Sequence, residues 1–166
     1  MEFGGRYKFG AGRLAVWRAL NDAEVLKAVI PGCERIGWTS PTTLDLTVQV
    51  SLGPVRPRFS GQLELSDIHP AERYVLTGRG KGGLLGLAQA SARITLDDAG
   101  DNATILAFTA IGKADSGVMR LGRALIGNSA QKIIDGFFEA IGAQMHTKVE
   151  AIADAPSRSG PDVREQ

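Results

Sequence analysis

Between Asp115 and about Lys148 the apolar residues return at steps of three and four: Val118, Leu121, Leu125, Ile126, Ile133, Ile134, Phe137, Phe138, Ile141 and Met145. That spacing gathers them on one broad face of a helix of roughly thirty residues, about 45 Å long at 1.5 Å rise per residue. The chain contains no second long helical pattern to cover such a face, so the helix must lie on a sheet. Asp115 and Ser116 are suitable caps for its start, and Lys148 puts a cation at its negative end, with Lys132 also in its later half. Small residues run through it, among them Gly117, Gly122, Gly127, Ala130, Gly136 and Gly142. An interior glycine costs about 1 kcal/mol relative to alanine, so tertiary contact must compensate. Close approach of the helix to its sheet is the preferred reading, because mid-helix glycines usually have a packing reason. The alternative is that Gly122 and Gly127 mark a bend or leave room for a ligand.

The segments before this helix provide the sheet. Glu2 to Phe9 forms a first strand with Phe3, Tyr7 and Phe9 as core candidates. Two short helices follow, Arg13 to Leu20 and a second capped by Asn21 or Asp22 and stopped by Pro31-Gly32. From Cys33 to Gly112 the pattern is sheet-like. Leu44, Leu46, Val48, Val50 and Leu52 alternate with polar residues, and Gly53-Pro54 turns the chain into a strand with Phe59, Gly61, Leu63 and Leu65 on one face. Pro57 implies an edge position or a bulge near the start of that strand. His69-Pro70-Ala71-Glu72 is a turn, Tyr74 to Gly78 a strand, and Ala88, Ala90, Ala92, Ile94 and Leu96 form the inward face of another. Thr104 to Gly112, apolar on both faces, reads as the last strand and as a central one. The fold class is therefore α+β: a curved antiparallel sheet of about seven strands wrapped on a long C-terminal helix, with two short helices after strand 1. Residues 1–150 form one domain, and 151–166 a polar disordered tail rich in proline, serine and glycine.

Composition narrows the function. A net charge of +1 and the absence of a Lys/Arg tract argue against nucleic acid. The single cysteine, Cys33, allows no internal disulfide and fits a reducing compartment, and the N-terminus has no apolar leader, so a cytoplasmic location is expected. His69 and His146 stand in no metal-binding spacing with Cys33, so no metal is expected. The glycine-rich stretch around Lys81 lacks the Ser or Thr and the helix that a phosphate-binding loop requires. It is either a bulged hairpin or a flap at a cavity mouth, built from Gly80, Lys81, Gly82, Gly83, Leu84, Leu85, Gly86 and Leu87. No catalytic residues are assigned, because the inward faces are almost entirely aliphatic or alanine and general acid-base chemistry needs titratable groups there. Arg56, Arg58, Arg79, Lys81, Arg120 and Arg123 read as a solvated basic face rather than a binding patch. A helix closing on a curved sheet can leave a cavity between them. Its candidate lining comprises Trp17 and Ile30 from the short helices, and Phe59, Leu63, Leu76, Ala90 and Phe108 from the sheet. Met119, Leu125, Ile126, Ile133 and Phe137 are the candidates from the long helix.

Three stretches in this order carry a resemblance: Ile30-Pro31-Gly32-Cys33-Glu34, then Gly53-Pro54-Val55 with Phe59-Ser60-Gly61, then Gly78-Arg79-Gly80-Lys81-Gly82-Gly83. Over about residues 1 to 145 the chain resembles the carbon monoxide dehydrogenase G-subunit family of the START-like, or SRPBCC, helix-grip superfamily. The resemblance implies a helix-grip domain with a hydrophobic cavity and a non-catalytic accessory role. It implies a quinone or another lipid as ligand, with no covalently bound cofactor. As partner it implies a molybdenum hydroxylase of the carbon monoxide dehydrogenase type, which such proteins are thought to bring to the membrane. Some family members continue into a proline-rich linker and a hydrophobic anchor. No such stretch precedes Gln166, so membrane contact is expected to be peripheral, at the inner face of the cytoplasmic membrane, through the leucine-bearing glycine loop. Two rival readings stay open: a polyketide cyclase- or hydratase-like enzyme, and a lipid-binding or chaperone-like interaction domain.

Overall fold

The structure is a computed structural model that describes residues 1–152 other than Leu52 and Leu121. The proposed polar tail from Asp154 to Gln166 therefore lies outside the described residues, as do Leu52 and Leu121. Strand β1 (Glu2–Phe9) leads into helices α1 (Arg13–Leu20) and α2 (Ala23–Val29). Asp22 caps α2: its carboxylate accepts hydrogen bonds from the backbone of Glu24 at 2.9 Å and of Val25 at 3.4 Å. Strands β2 (Cys33–Ser40), β3 (Thr43–Gln49), β4 (Arg58–His69), β5 (Arg73–Lys81), β6 (Leu87–Asp98) and β7 (Thr104–Ala114) follow. Next come α3 (Ser116–Met119), α4 (Arg123–Gln144) and β8 (Val149–Ile152), the last element among the described residues.

The eight strands of the described residues join one open antiparallel sheet in the order β2-β3-β4-β5-β6-β7-β1-β8. The architecture is the α+β one expected from the order of elements, with one strand more than about seven. That extra strand, β8, corrects the domain boundary: Ala151 and Ile152 belong to the sheet, paired with Tyr7 and Arg6, rather than to a tail. It also means that β7 is not the last strand, although it is an interior one, paired on both sides. β7 lies between β6 and β1, third from the β8 edge, and its apolar outer face is partly open to solvent, with Ile111 56% exposed. Pro57 needs neither an edge nor a bulge, because it precedes an interior strand whose pairing begins at Arg58.

The expected single helix is two. Gly122 has φ +95° and ψ 140°, a backbone region open essentially to glycine, and it separates the single turn of α3 from the 22 residues of α4. The bend reading thus holds at Gly122, whereas Gly127 lies inside α4 without interrupting it. Lys148 lies beyond the helix, which ends at Gln144. The carboxylate of Asp115 does not cap α3; it accepts the backbone N–H of Leu87 at 2.9 Å. α4 rests on α2 and on β8 and β1 at one side of the sheet, and from there it spans the concave face.

The core lies where the C-terminal half of α4 meets the sheet. Phe138 is buried among Tyr7, Phe9, Phe108 and Phe137, with ring centroids between 4.3 and 6.4 Å away. Ile141, one turn further along, is fully buried.

Candidate functional site

The antiparallel register lines up the inward residues in rows across the concave face, and the size of those residues changes from row to row. Tyr7, Leu106 and Leu96 form a row of large, buried side chains. The next row holds Gly5, Phe108, Ile94 and Tyr74, and the one after it Phe3, Ala110, Ala92, Leu76 and Leu65. Then come Gly112, Ala90, Gly78, Leu63 and Leu44, and finally Ala114, Ala88, Gly80, Gly61 and Leu46. Large residues fill the space under α4 at one end, and the glycines and alanines of the later rows leave it unfilled. A void lined by apolar atoms is the consequence.

The main cavity has a volume of about 310 Å³, at the lower end of the roughly 300–1,000 Å³ of small-molecule sites. Its floor is the middle rows of the sheet, its roof is Ile133, Ile134, Phe137 and Phe138 of α4, and its end wall is Leu20, Asn21, Leu26, Ile30 and Pro31 from α1, α2 and the turn after them. No Asp, Glu, Lys, Arg, His or Cys stands in the lining among the described residues; Asn21 and Tyr74 are its polar members. Leu63 is shared with a second hollow of about 300 Å³ over the small rows. Val50, Phe59, Ala88 and Gln89 are shared between that hollow and a third, of about 420 Å³, under Ile126 and Ala130. The three adjoin one another along the sheet, and α4 covers the first and the third.

Of the candidate lining residues, Ile30, Leu63, Leu76, Phe108, Ile133 and Phe137 face the main cavity. Ala90 lies in the second hollow, Met119 and Ile126 in the third, and Phe59 between those two. Trp17 and Leu125 line none of the three: Trp17 stacks edge-on against Tyr74 at 5.1 Å, and Leu125 packs beside the turn at Gly53. Sequence reasoning missed Leu44, Leu65, Ile94, Leu106 and Tyr74 on the floor. Alternation marked Leu44, Leu65 and Ile94 as inward, but not which inward residues face a void, and it set no face for Leu106 or Tyr74.

The glycine loop lies away from the main cavity. Gly82 and Gly86 close it through a backbone hydrogen bond of 2.8 Å, with a single 3-10 turn at Gly83–Leu85 between them. Leu87 and Asp115 bond each other through both backbone and carboxylate, each at 2.9 Å, which ties the loop to the start of α3. Gly80 contributes to the second hollow. Among the other residues singled out, Arg58 makes a two-pronged ion pair with Glu34, both bonds 2.9 Å, while Arg56, Arg79, Lys81 and Arg120 are exposed. Cys33 is half-buried, and burial raises its thiol pKa above the ordinary value. His69 sits on a surface turn between Asp67 and Arg73. No group of metal-ligating side chains occurs among the described residues, and no described helix is long and apolar enough to cross a membrane.

A curved antiparallel sheet closed by a C-terminal helix, with short helices inserted after the first strand and an apolar cavity beneath, defines a helix-grip, START-like protein. Solved structures share the fold. A conserved protein from Geobacillus kaustophilus superposes with a TM-score of 0.81 at 24% identity, covering 90% of this chain and 99% of that one. The Zhui aromatase/cyclase from Streptomyces sp. R1128 gives 0.66 at 12% identity, covering 88% and 93%. A START superfamily protein from Mycobacterium smegmatis gives 0.66 at 12%, covering 87% and 97%. The sequence profile of the carbon monoxide dehydrogenase G-subunit family (CoxG) matches residues 5–146, and the chain belongs to that family. No curated protein matches the chain.

Proposed function

We propose that this protein is a non-catalytic accessory protein that holds an apolar ligand, a quinone or another lipid, between α4 and the sheet. In this reading it serves a molybdenum hydroxylase of the carbon monoxide dehydrogenase type in the cytoplasm and links it to the membrane or the quinone pool through peripheral contact. The observation that carries the ligand part is the cavity itself: about 310 Å³, walled by aliphatic and aromatic side chains, with no charged group in its lining among the described residues. Such a lining favours binding over catalysis, since it offers no acid-base pair to move a proton. Membership of the CoxG family supports the choice of partner.

The deciding experiment is purification from the native host, extraction with organic solvent and mass spectrometry of the extract, with partners recovered in the same purification. A stoichiometric quinone is expected, together with the molybdenum enzyme among the partners. Another lipid would retain the carrier and remove its redox role. An empty extract, repeated after loading with quinone in vitro, would refute the ligand reading, and absence of the molybdenum enzyme would refute the partner.

A further inference from the structure

The chain has two tyrosines, and both are buried. The Tyr7 hydroxyl donates to Asp135 at 2.8 Å. Tyr74 is 6% exposed and lines the main cavity, yet its hydroxyl forms no hydrogen bond with any of the described residues. A buried hydroxyl without an acceptor is unfavourable, and a phenylalanine would pack against Trp17 without that penalty. Burial holds the phenol pKa well above its ordinary value, so the group stays a neutral donor.

The other polar member of the lining, Asn21, already spends its amide on the Trp17 carbonyl at 2.9 Å, and Trp17 is the residue stacked edge-on against Tyr74. The remaining walls are apolar, so the main cavity has a free donor at Tyr74 and otherwise almost no polar partners.

We propose that the Tyr74 hydroxyl is the hydrogen-bond donor for the polar end of the ligand, so that the cavity selects a neutral apolar molecule carrying a carbonyl or similar acceptor over a hydrocarbon or a carboxylate. This rests on the reading of the cavity as a ligand site. A hydrocarbon leaves the donor unpaired, and a carboxylate is taken from water into a lining with no cation to balance it.

The test is calorimetric titration of the full chain and of Tyr74→Phe with 2-acetylnaphthalene, 2-ethylnaphthalene and 2-naphthoate. The first two have nearly the same shape and differ in the carbonyl. Wild type is expected to prefer the ketone and to bind the carboxylate most weakly. Tyr74→Phe is expected to weaken the ketone roughly tenfold and to leave the ethyl compound within about twofold. The infrared carbonyl stretch of the ketone bound to wild type should lie lower than that of the ketone in hexane, a readout that also serves if Tyr74→Phe does not fold. Binding of the ethyl compound with equal effects of Tyr74→Phe on both neutral ligands, or a carbonyl stretch as in hexane, overturns the donor assignment and leaves the cavity reading intact. Failure of all three compounds to bind wild type defeats the cavity reading and this inference with it.

Discussion

The two halves of α4 have the same kind of sequence and opposite surroundings. Towards the C-terminus Phe138 and Ile141 are buried against four aromatic rings and the first strand, as tightly as any part of the molecule. Towards the N-terminus Ile126 and Ala130 stand half-buried over a hollow floored by Ala88, Gly112 and Ala114. The helical stripe is apolar throughout; the sheet beneath it is not equally large throughout. The hollow at that end thus arises from the floor rather than from the helix, while Phe138 both anchors the core and, with Ile133, Ile134 and Phe137, roofs the main cavity.

The largest test of that contrast is truncation at each end. Phe138→Ala should cost about 3–5 kcal/mol, whereas Ile126→Ala should cost less than about 1.5 kcal/mol because it enlarges a hollow that already exists. Urea unfolding of both variants measures the difference, and equal losses would mean that the two halves are packed alike.

Glycine substitutions come next. Gly122→Ala forces a side chain onto φ +95° and should destabilise by about 1–3 kcal/mol. Gly136 lies within α4, and a methyl group added there would meet no atom within 4 Å beyond its own stretch of helix, so it should tolerate alanine and gain about 0.5–1 kcal/mol. Thermal unfolding of the pair should move in opposite directions. A gain at Gly122 would show that the break is not intrinsic to the folded chain.

The smallest effect, absent at neutral pH, separates the two tyrosines. In the unfolded chain both phenols lose their protons near pH 10. In the folded protein both are held higher, Tyr7 by burial and then by its hydrogen bond to Asp135 and that residue's charge, Tyr74 by burial alone. Above about pH 10 the folded state therefore keeps protons that the unfolded state releases, and stability, complete below that pH, falls as pH rises through it. Tyrosinate absorbance should appear only above the ordinary phenol range. Asp135→Asn should bring one of the two transitions down and leave the other, and a shift of both would contradict the separate environments.

Much of the fold was legible because its signals are local. The alternation from Leu44 to Val48 and from Ala88 to Leu96 specified strands, Asp22 marked the start of α2, and the three- and four-residue steps from Ile133 to Ile141 specified the helix. The site was legible only in part. Ile133, Phe137 and Leu63 could be placed on an inward face, but Trp17 and Leu125 fit the same criterion and line no hollow. Tyr74 carried no signal beyond being the first large residue of a strand, since the lack of an acceptor for its hydroxyl depends on neighbours distant in sequence.

Sequence alone determined the order of elements up to the C-terminal helical stretch, the α+β class and the apolar character of the inward faces, because periods of 2 and 3.6 residues are set by the backbone of each segment. Tertiary structure decided the rest. It broke the helix at Gly122, added β8 beside β1, and through strand register stacked Gly61, Gly80, Ala88 and Ala114 into one row. Such a row is a sum over four strands, and no single segment holds the information: each glycine or alanine is unremarkable in its own strand, and only their alignment across the sheet removes enough volume to leave the hollows at that end.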